Sequence, residues 1–163
     1  MRNPTSKIVS RAALAAVSRR MAREGKRLVF TNGCFDLMHP GHVRLLNRAR
    51  RLGDALAVAL NSDASVRRLK GPGRPVLKQK ERAEILAALE CVDFVAVFSE
   101  PTPQQIIRAV RPKVLVKGGD WSPSRIVGRA TVVADGGEVR VIPLQKGFST
   151  TAILRRILSR RGR

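Results

Sequence analysis

Apolar positions along this chain switch between helical spacing and short unbroken runs, and that alternation predicts its elements. Residues 6–24 predict a helix with Leu14, Val17 and Met21 on one face. Leu28-Val-Phe-Thr-Asn32 is a short apolar strand that ends at Gly33. A helix follows from about Gly41 to Leu52, with Leu45, Leu46, Ala49 and Leu52 inward, and Gly53-Asp54 breaks it. Ala55-Leu-Ala-Val-Ala-Leu60 is apolar on both faces, the pattern of a buried parallel strand. Residues 63–69 predict a short helix, and the glycines and prolines of Lys70–Pro75 require a loop.

The second half repeats the scheme. Residues 78–90 predict a helix with Ile85, Leu86 and Leu89 inward, and Phe94-Val-Ala-Val-Phe98 is a third strand. Thr102-Pro103 supplies an N-cap and a first-turn proline for a helix that stops before Pro112. Val114–Lys117 is a fourth strand closed by Gly118-Gly119, and residues 124–134 are read as a helix. After the Gly136-Gly137 turn, Val139–Ile142 is a fifth strand. Ser149 caps a last amphipathic helix with Ile153, Leu154, Ile157 and Leu158 on one side. Strands alternating with helices imply right-handed crossovers and an α/β, doubly wound, five-stranded parallel sheet. Ligands of such sheets sit beyond the carboxyl ends of the strands, so the loops after strands one, four and five matter most.

Composition narrows the class. At 163 residues with 44% hydrophobic residues, the chain can bury a real core, and disorder is excluded as its main state. The expected division is a helical extension over residues 1–26 and one domain over 27–163. No apolar run approaches the roughly 18 residues of a membrane span, and no signal-peptide pattern opens the chain, so a cytoplasmic protein is expected. Cys34 and Cys91 are too few for a disulfide scaffold, and their spacing matches no zinc pattern.

Charge changes the picture more. With 32 Lys and Arg against 12 Asp and Glu, the net charge is +20. Much of it lies near the termini (Arg11, Arg19, Arg20, Arg23, Lys26 and Arg27; Arg155, Arg156, Arg160, Arg161 and Arg163), with more at Arg44, Arg48, Arg50 and Arg51. Such a field fits nucleic acid, a solvated surface, or attraction of small phosphorylated substrates. No tyrosine and only 4% aromatic residues leave a single-strand binder short of stacking platforms, which counts against nucleic acid as the main ligand.

The unusual residues fall in the expected loops. After the first strand comes Thr31-Asn-Gly-Cys-Phe-Asp-Leu-Met-His-Pro-Gly-His42, which holds both histidines of the chain, three apart where a helix begins. Gly33 and Gly41 allow close approach of the backbone, and the helix start offers free N–H groups. Two imidazoles there suit phosphate contact and a transition state with charge on phosphorus-bound oxygen. Two other readings stand beside this one: His39 as a structural cap, or both rings as metal ligands with Asp36, for which no further ligand cluster is at hand. Lys70, after the second strand and its Asn61-Ser-Asp63 string, can reach a phosphate as a point charge, or be one solvated cation among many. Lys117-Gly-Gly-Asp-Trp121 exposes amides at a tight turn, with Trp121 read alternatively as a core residue. Gly147-Phe-Ser-Thr-Thr151 offers a second anion site, with Ser149 also an ordinary cap.

The string Asn32–His42 closely resembles the HxGH signature of the cytidylyltransferase-like nucleotidyltransferases, in particular the branch that adenylylates D-glycero-β-D-manno-heptose 1-phosphate. The likeness runs from about Arg27 to Leu158 through Asn61-Ser-Asp, Arg67-Arg-Leu-Lys-Gly71, Arg74-Pro-Val76, Val92-Asp93, Thr102-Pro103, Val116-Lys-Gly-Gly-Asp-Trp121, Gly136-Gly137 and Ser149-Thr-Thr151. The resemblance implies a Rossmann-like sheet of strand order 3-2-1-4-5 and a reaction of ATP with heptose 1-phosphate, with Mg²⁺, giving ADP-heptose and pyrophosphate for lipopolysaccharide core synthesis. It implies that His39, His42 and Lys70 act on phosphates, with no protein metal ligand. Thr31, Asn32, Gly33, Cys34, Phe35 and Gly41 would bind the nucleotide, as would Ser149, Thr150 and Thr151. Lys117, Gly118, Gly119 and Asp120 would lie near the nucleoside, and Asp36, Asn61, Asp63 and Arg67 would contact the sugar or shape its site. The resemblance also implies a homodimer. With no sugar-kinase domain fused, a separate heptose kinase is expected to supply the substrate. Arg125–Arg129 is more basic than the family pattern, and the charged terminal helices have no catalytic counterpart in it. A cytidylyltransferase using CTP with glycerol 3-phosphate or ethanolamine phosphate is the rival within the fold, and a basic nucleic-acid binder the rival outside it.

Overall fold

The computed structural model describes residues 3–119, 121–143 and 147–159. In chain order the elements are α1 (Arg11–Arg23), β1 (Leu28–Gly33), α2 (Pro40–Arg50), β2 (Ala55–Asn61), α3 (Asp63–Lys70) and α4 (Gln79–Ala88). Then come β3 (Phe94–Phe98), α5 (Gln104–Val110), β4 (Val114–Gly118), α6 (Arg129–Ala134), β5 (Glu138–Ile142) and α7 (Thr150–Ser159). The five strands pair in the order β3-β2-β1-β4-β5, all parallel. This is the doubly wound sheet the alternation predicts, in the order the family resemblance implies. β1 is central, flanked by β2 and β4, so the strand order reverses beside its carboxyl end.

Alternate strand residues feed two separate cores, as the period of two along a strand demands. Val29, Leu56, Val58, Leu60, Val95, Val114 and Val116 pack with Leu45, Leu46 and Ala49 of α2 and Ala83, Leu86 and Ala87 of α4. Phe30, Ala57, Ala59, Ala96 and Leu115 face the other way, against Leu14 and Met21 of α1, Ile106, Ile107 and Val110 of α5, and Val132 of α6. The small alanines of β2 leave room on that face for Phe30, Phe98 and the isoleucines.

Several expectations needed correction. The first helix starts at Arg11, not residue 6. Ser10 caps it by accepting from the Ala13 amide, while Pro4–Lys7 forms a separate 3-10 turn. Between them, Val9 donates its amide to Val95, and Ile8 bridges the same residue, so residues 8–9 lie along the outer edge of β3. Residues 124–134 split into a 3-10 turn at Pro123–Arg125 and the short helix α6. Thr102 gives α5 no side-chain cap, and Pro103 occupies that position. Trp121 is about half exposed rather than in the core. On α4 the inward face is Arg82, Ala83, Leu86 and Ala87, and Ile85 points outward. On α7 none of the described residues is buried, and Ile157 and Leu158 are exposed.

Candidate active site

The loop from β1 to α2 carries the two histidines, and its backbone is unusual. Phe35 (φ 45°) and Leu37 (φ 49°) both adopt left-handed conformations, which cost non-glycine residues on the order of 1 kcal/mol or more each. Asp36, between them, offsets that strain. Its carboxylate is 1% exposed and accepts from Arg74 Nε (2.8 Å) and from the amides of Val76 (2.9 Å) and Leu77 (3.0 Å). Burial alone would raise the carboxyl pKa, but the Leu77 and Val76 amides and the Arg74 guanidinium outweigh it and hold Asp36 below its usual range. The Asp36 carbonyl accepts from Thr150 Oγ1 at 2.7 Å, which pins the start of α7 to the same loop.

His39 precedes α2 and His42 lies in its first turn, where Pro40 occupies N1 and needs no amide partner. The two rings stack with centroids 3.8 Å apart and planes 16° from parallel. Phe35 lies 5.3 Å from His42, and Phe148 lies 6.4 Å from His39 on the other side. A Cβ at Gly41 would meet the His39 ring at 3.1 Å and Phe148 Cβ at 3.1 Å, so glycine is what lets the imidazole lie against the helix start. Both Nδ1 atoms are buried with no hydrogen-bond partner among the described residues. Burial lowers the pKa of His39; burial, then the neighbouring His39, pulls His42 down to about 4. Both rings are therefore neutral at pH 7.

The charges of Lys70, Arg82 and Arg74 act on Cys34. Burial pushes the Cys34 thiol up, against the opposing fields of Lys70, Arg82 and Arg74. Lys70 ends α3 and is exposed. Lys117, near the end of β4, donates to Asn32 Oδ1 at 3.2 Å and lies 5.8 Å from the Trp121 ring; burial pulls its ammonium down. A groove of about 440 Å³ runs along α2 from Arg51, Arg48 and Arg44 past Gly41 to Ile142 and Pro143. Clefts of about 470 and 330 Å³ open at the amino ends of the strands, the wrong edge for a ligand in this architecture.

The remaining sequence candidates divide. Asn32, Gly33, Cys34, Phe35, Gly41, Lys117 and Gly118 gather around the switch point with the histidines. Gly119 donates its amide to Ile142, joining the ends of β4 and β5. Ser149 caps α7 through the Ala152 amide, while Thr151 is exposed. Thr31 is buried within β1 at 1% exposure. Asn61 is buried and donates to Ser65 Oγ at 2.9 Å, Asp63 accepts from Arg82 at 2.8 Å, and Arg67 is exposed on α3. Asp36, Asn61 and Asp63 thus all engage protein groups. Asp120 lies outside the described residues. Among the described residues, no group of three His, Cys, Asp or Glu could hold a metal ion, and no helix is long and apolar enough to cross a membrane. Sequence reasoning missed Arg82, a fully buried arginine; the available signal was its place one turn before Leu86 on the apolar face of α4.

The sequence pattern of the cytidylyltransferase-like proteins matches residues 30–156, which take in β2 to β5, most of β1 and this site. The chain belongs to the cytidylyltransferase-like family. Within this family it is 56% identical over 155 residues to the bifunctional protein HldE of Syntrophotalea carbinolica, covering 95% of this chain and 32% of that protein. It is 55% identical over 152 residues to HldE of Geotalea uraniireducens, covering 93% and 31%. The chain thus spans about a third of the length of the curated relatives it matches. The crystal structure of the lipopolysaccharide core biosynthesis protein from Thermoplasma volcanium matches this cytidylyltransferase-like chain with a TM-score of 0.62 at 25% identity, covering 76% of this chain and 100% of that one.

Proposed function

We propose that the chain transfers the adenylyl group of ATP to D-glycero-β-D-manno-heptose 1-phosphate, releasing pyrophosphate and forming ADP-heptose for lipopolysaccharide core synthesis. The observation that carries the reading is the neutral, stacked His39–His42 pair at the first turn of α2, beside the switch point of the sheet. The long, high-identity match to HldE and the likeness to the Thermoplasma protein support the choice of sugar.

In this reading a phosphate oxygen of the sugar attacks the α-phosphorus of ATP in line. The bond from that phosphorus to the bridging oxygen breaks, and its electron pair leaves with pyrophosphate. A phosphate monoester is already ionised near neutral pH, so no general base is required. The protein's task is positioning and stabilisation of charge. With Nδ1 buried and unpartnered on both rings, the tautomer that avoids an orphaned N–H carries its proton on Nε2. Each ring then offers one neutral donor to the phosphates, and the N-terminus of α2 adds its dipole, although the His42 and Val43 amides are already given to the His39 carbonyl. Lys70 and Arg74 face the sugar phosphate. The nucleoside extends past Gly119 towards the groove at Gly41, Ile142 and Pro143. Asp36 and Asp63 are taken by guanidinium groups, so any Mg²⁺ would be carried by the nucleotide itself, where it would supply charge neutralisation. A cytoplasmic homodimer, supplied by a heptose kinase, completes the proposal.

The test is pyrophosphate release with ATP and with CTP, each against heptose 1-phosphate and glycerol 3-phosphate. Turnover confined to ATP with the heptose phosphate supports the reading. Turnover with CTP and glycerol 3-phosphate favours the rival transferase, and tight salt-resistant DNA binding without turnover favours the nucleic-acid rival.

A further inference from the structure

We infer that Arg82 is a positioning residue that holds the phosphate-binding loop and the cationic 70–77 loop in one fixed relation; the inference rests on the transfer reading above. Its side chain is 0% exposed. Three acceptors on three separate segments share it: Leu77 O from Nε at 3.0 Å, Cys34 O from Nη1 at 2.6 Å, and Asp63 Oδ1 from Nη2 at 2.8 Å. A buried charge is tolerated only when its donors are met, and here one partner is a carboxylate and two are carbonyls. The planar fork of arginine reaches all three at once, which the single ammonium of lysine cannot do.

Each tether has a consequence at the site. The Cys34–Phe35 peptide is trans, so fixing the Cys34 carbonyl towards Arg82 turns the Phe35 amide the opposite way. Asp63 opens α3, whose last residue is Lys70. Leu77 ends the stretch that begins at Arg74, whose own guanidinium is on Asp36. Arg82 thus fixes how far the loop leading to the histidines stands from the cations that face the attacking phosphate. In-line transfer is sensitive to displacements of about an ångström. The sequence motif around the histidines does not include this residue, and nothing in the reaction requires it to touch substrate.

The experiment compares full-length Arg82→Lys with the parent, both in a Cys91→Ser background, by kinetics and by iodoacetamide alkylation of Cys34. Folding is checked by thermal melting. The expected result is kcat lowered about tenfold to a hundredfold with the KM for ATP changed less than about threefold, and faster alkylation of Cys34 as its carbonyl tether is lost. A folded Arg82→Lys protein with parental kcat and parental alkylation overturns the inference. Should that variant not fold, Asp63→Asn loosens the same guanidinium from a partly exposed position; unchanged kcat and alkylation there overturn it equally. If the parent turns over no sugar phosphate while Arg82→Lys still speeds alkylation, the transfer reading falls and the loop-holding role stands.

Discussion

The imidazoles of His39 and His42 lie face to face, 3.8 Å between centroids, at the point where β1 hands the chain to α2. Protonating either ring places a charge against its neighbour in a partly dry site, which is why both are held neutral. For His42 the folded-state pKa is pulled down to about 4 by burial and then by His39. A base whose folded pKa lies below its unfolded value stabilises the fold above the unfolded value, near 6.5. That contribution is lost as pH falls from there towards 4, because the unfolded chain binds the proton first. After allowance for solvent, it amounts to about 1–3 kcal/mol. Proton NMR of the His42 ring should show a midpoint near 4 in the free protein, rising when ATP is added. A midpoint near 6.5 unmoved by ATP would contradict both the burial and the contact.

His42→Ala removes one donor to transition-state charge and should lower kcat by about a hundredfold or more while the protein still melts in one cooperative transition. Parental kcat in that variant would remove His42 from the mechanism.

Asp36→Asn should act through the fold. The amide side chain keeps some acceptor capacity but loses the charge that pairs with Arg74, between two left-handed residues. A loss of about 2–4 kcal/mol in denaturant unfolding is expected, since breaking a buried pair leaves a guanidinium unmatched. The lowered Asp36 pKa gives a second signature. The stabilisation it supplies is present above the unfolded carboxyl pKa and fades as pH falls through the folded value, so the gap between parent and variant should shrink at acid pH.

Leu14→Ala addresses whether residues 1–26 stand apart. Leu14 is 0% exposed and packs in one cluster with Phe30, Ile106 and Val110. Removing it should cost about 2–5 kcal/mol of global stability in a single transition. A separate early transition, with the rest of the chain as stable as before, would mark the first helix as an independent extension.

The sheet was legible because its signal is local: runs such as Ala55–Leu60 are apolar on both faces and end at turn residues. The histidine loop was legible because two glycines and a proline fix where the helix begins. What escaped depends on distant partners. The spacing places Arg82 on the inward side of α4, but its role emerges only when Cys34, Asp63 and Leu77 converge on it from three segments. Asp36 and Asp63 look like free site carboxylates until Arg74 and Arg82 take them. Ser6 and Ser10 are both residue types that suit a helix cap, and apolar spacing does not choose between them. What separates them is the bond from the Val9 amide to the far edge strand, which no spacing reveals.

In the proposed reaction a nucleotide's triphosphate meets the paired rings and the first turn of α2. A crystal soaked with ATP tests it most directly. Phosphate density is expected within hydrogen-bond reach of Nε2 on His39 and His42 and of the Gly41 amide at the start of α2. Nucleotide density lodged instead against the basic face of α1, with those rings untouched, would contradict it.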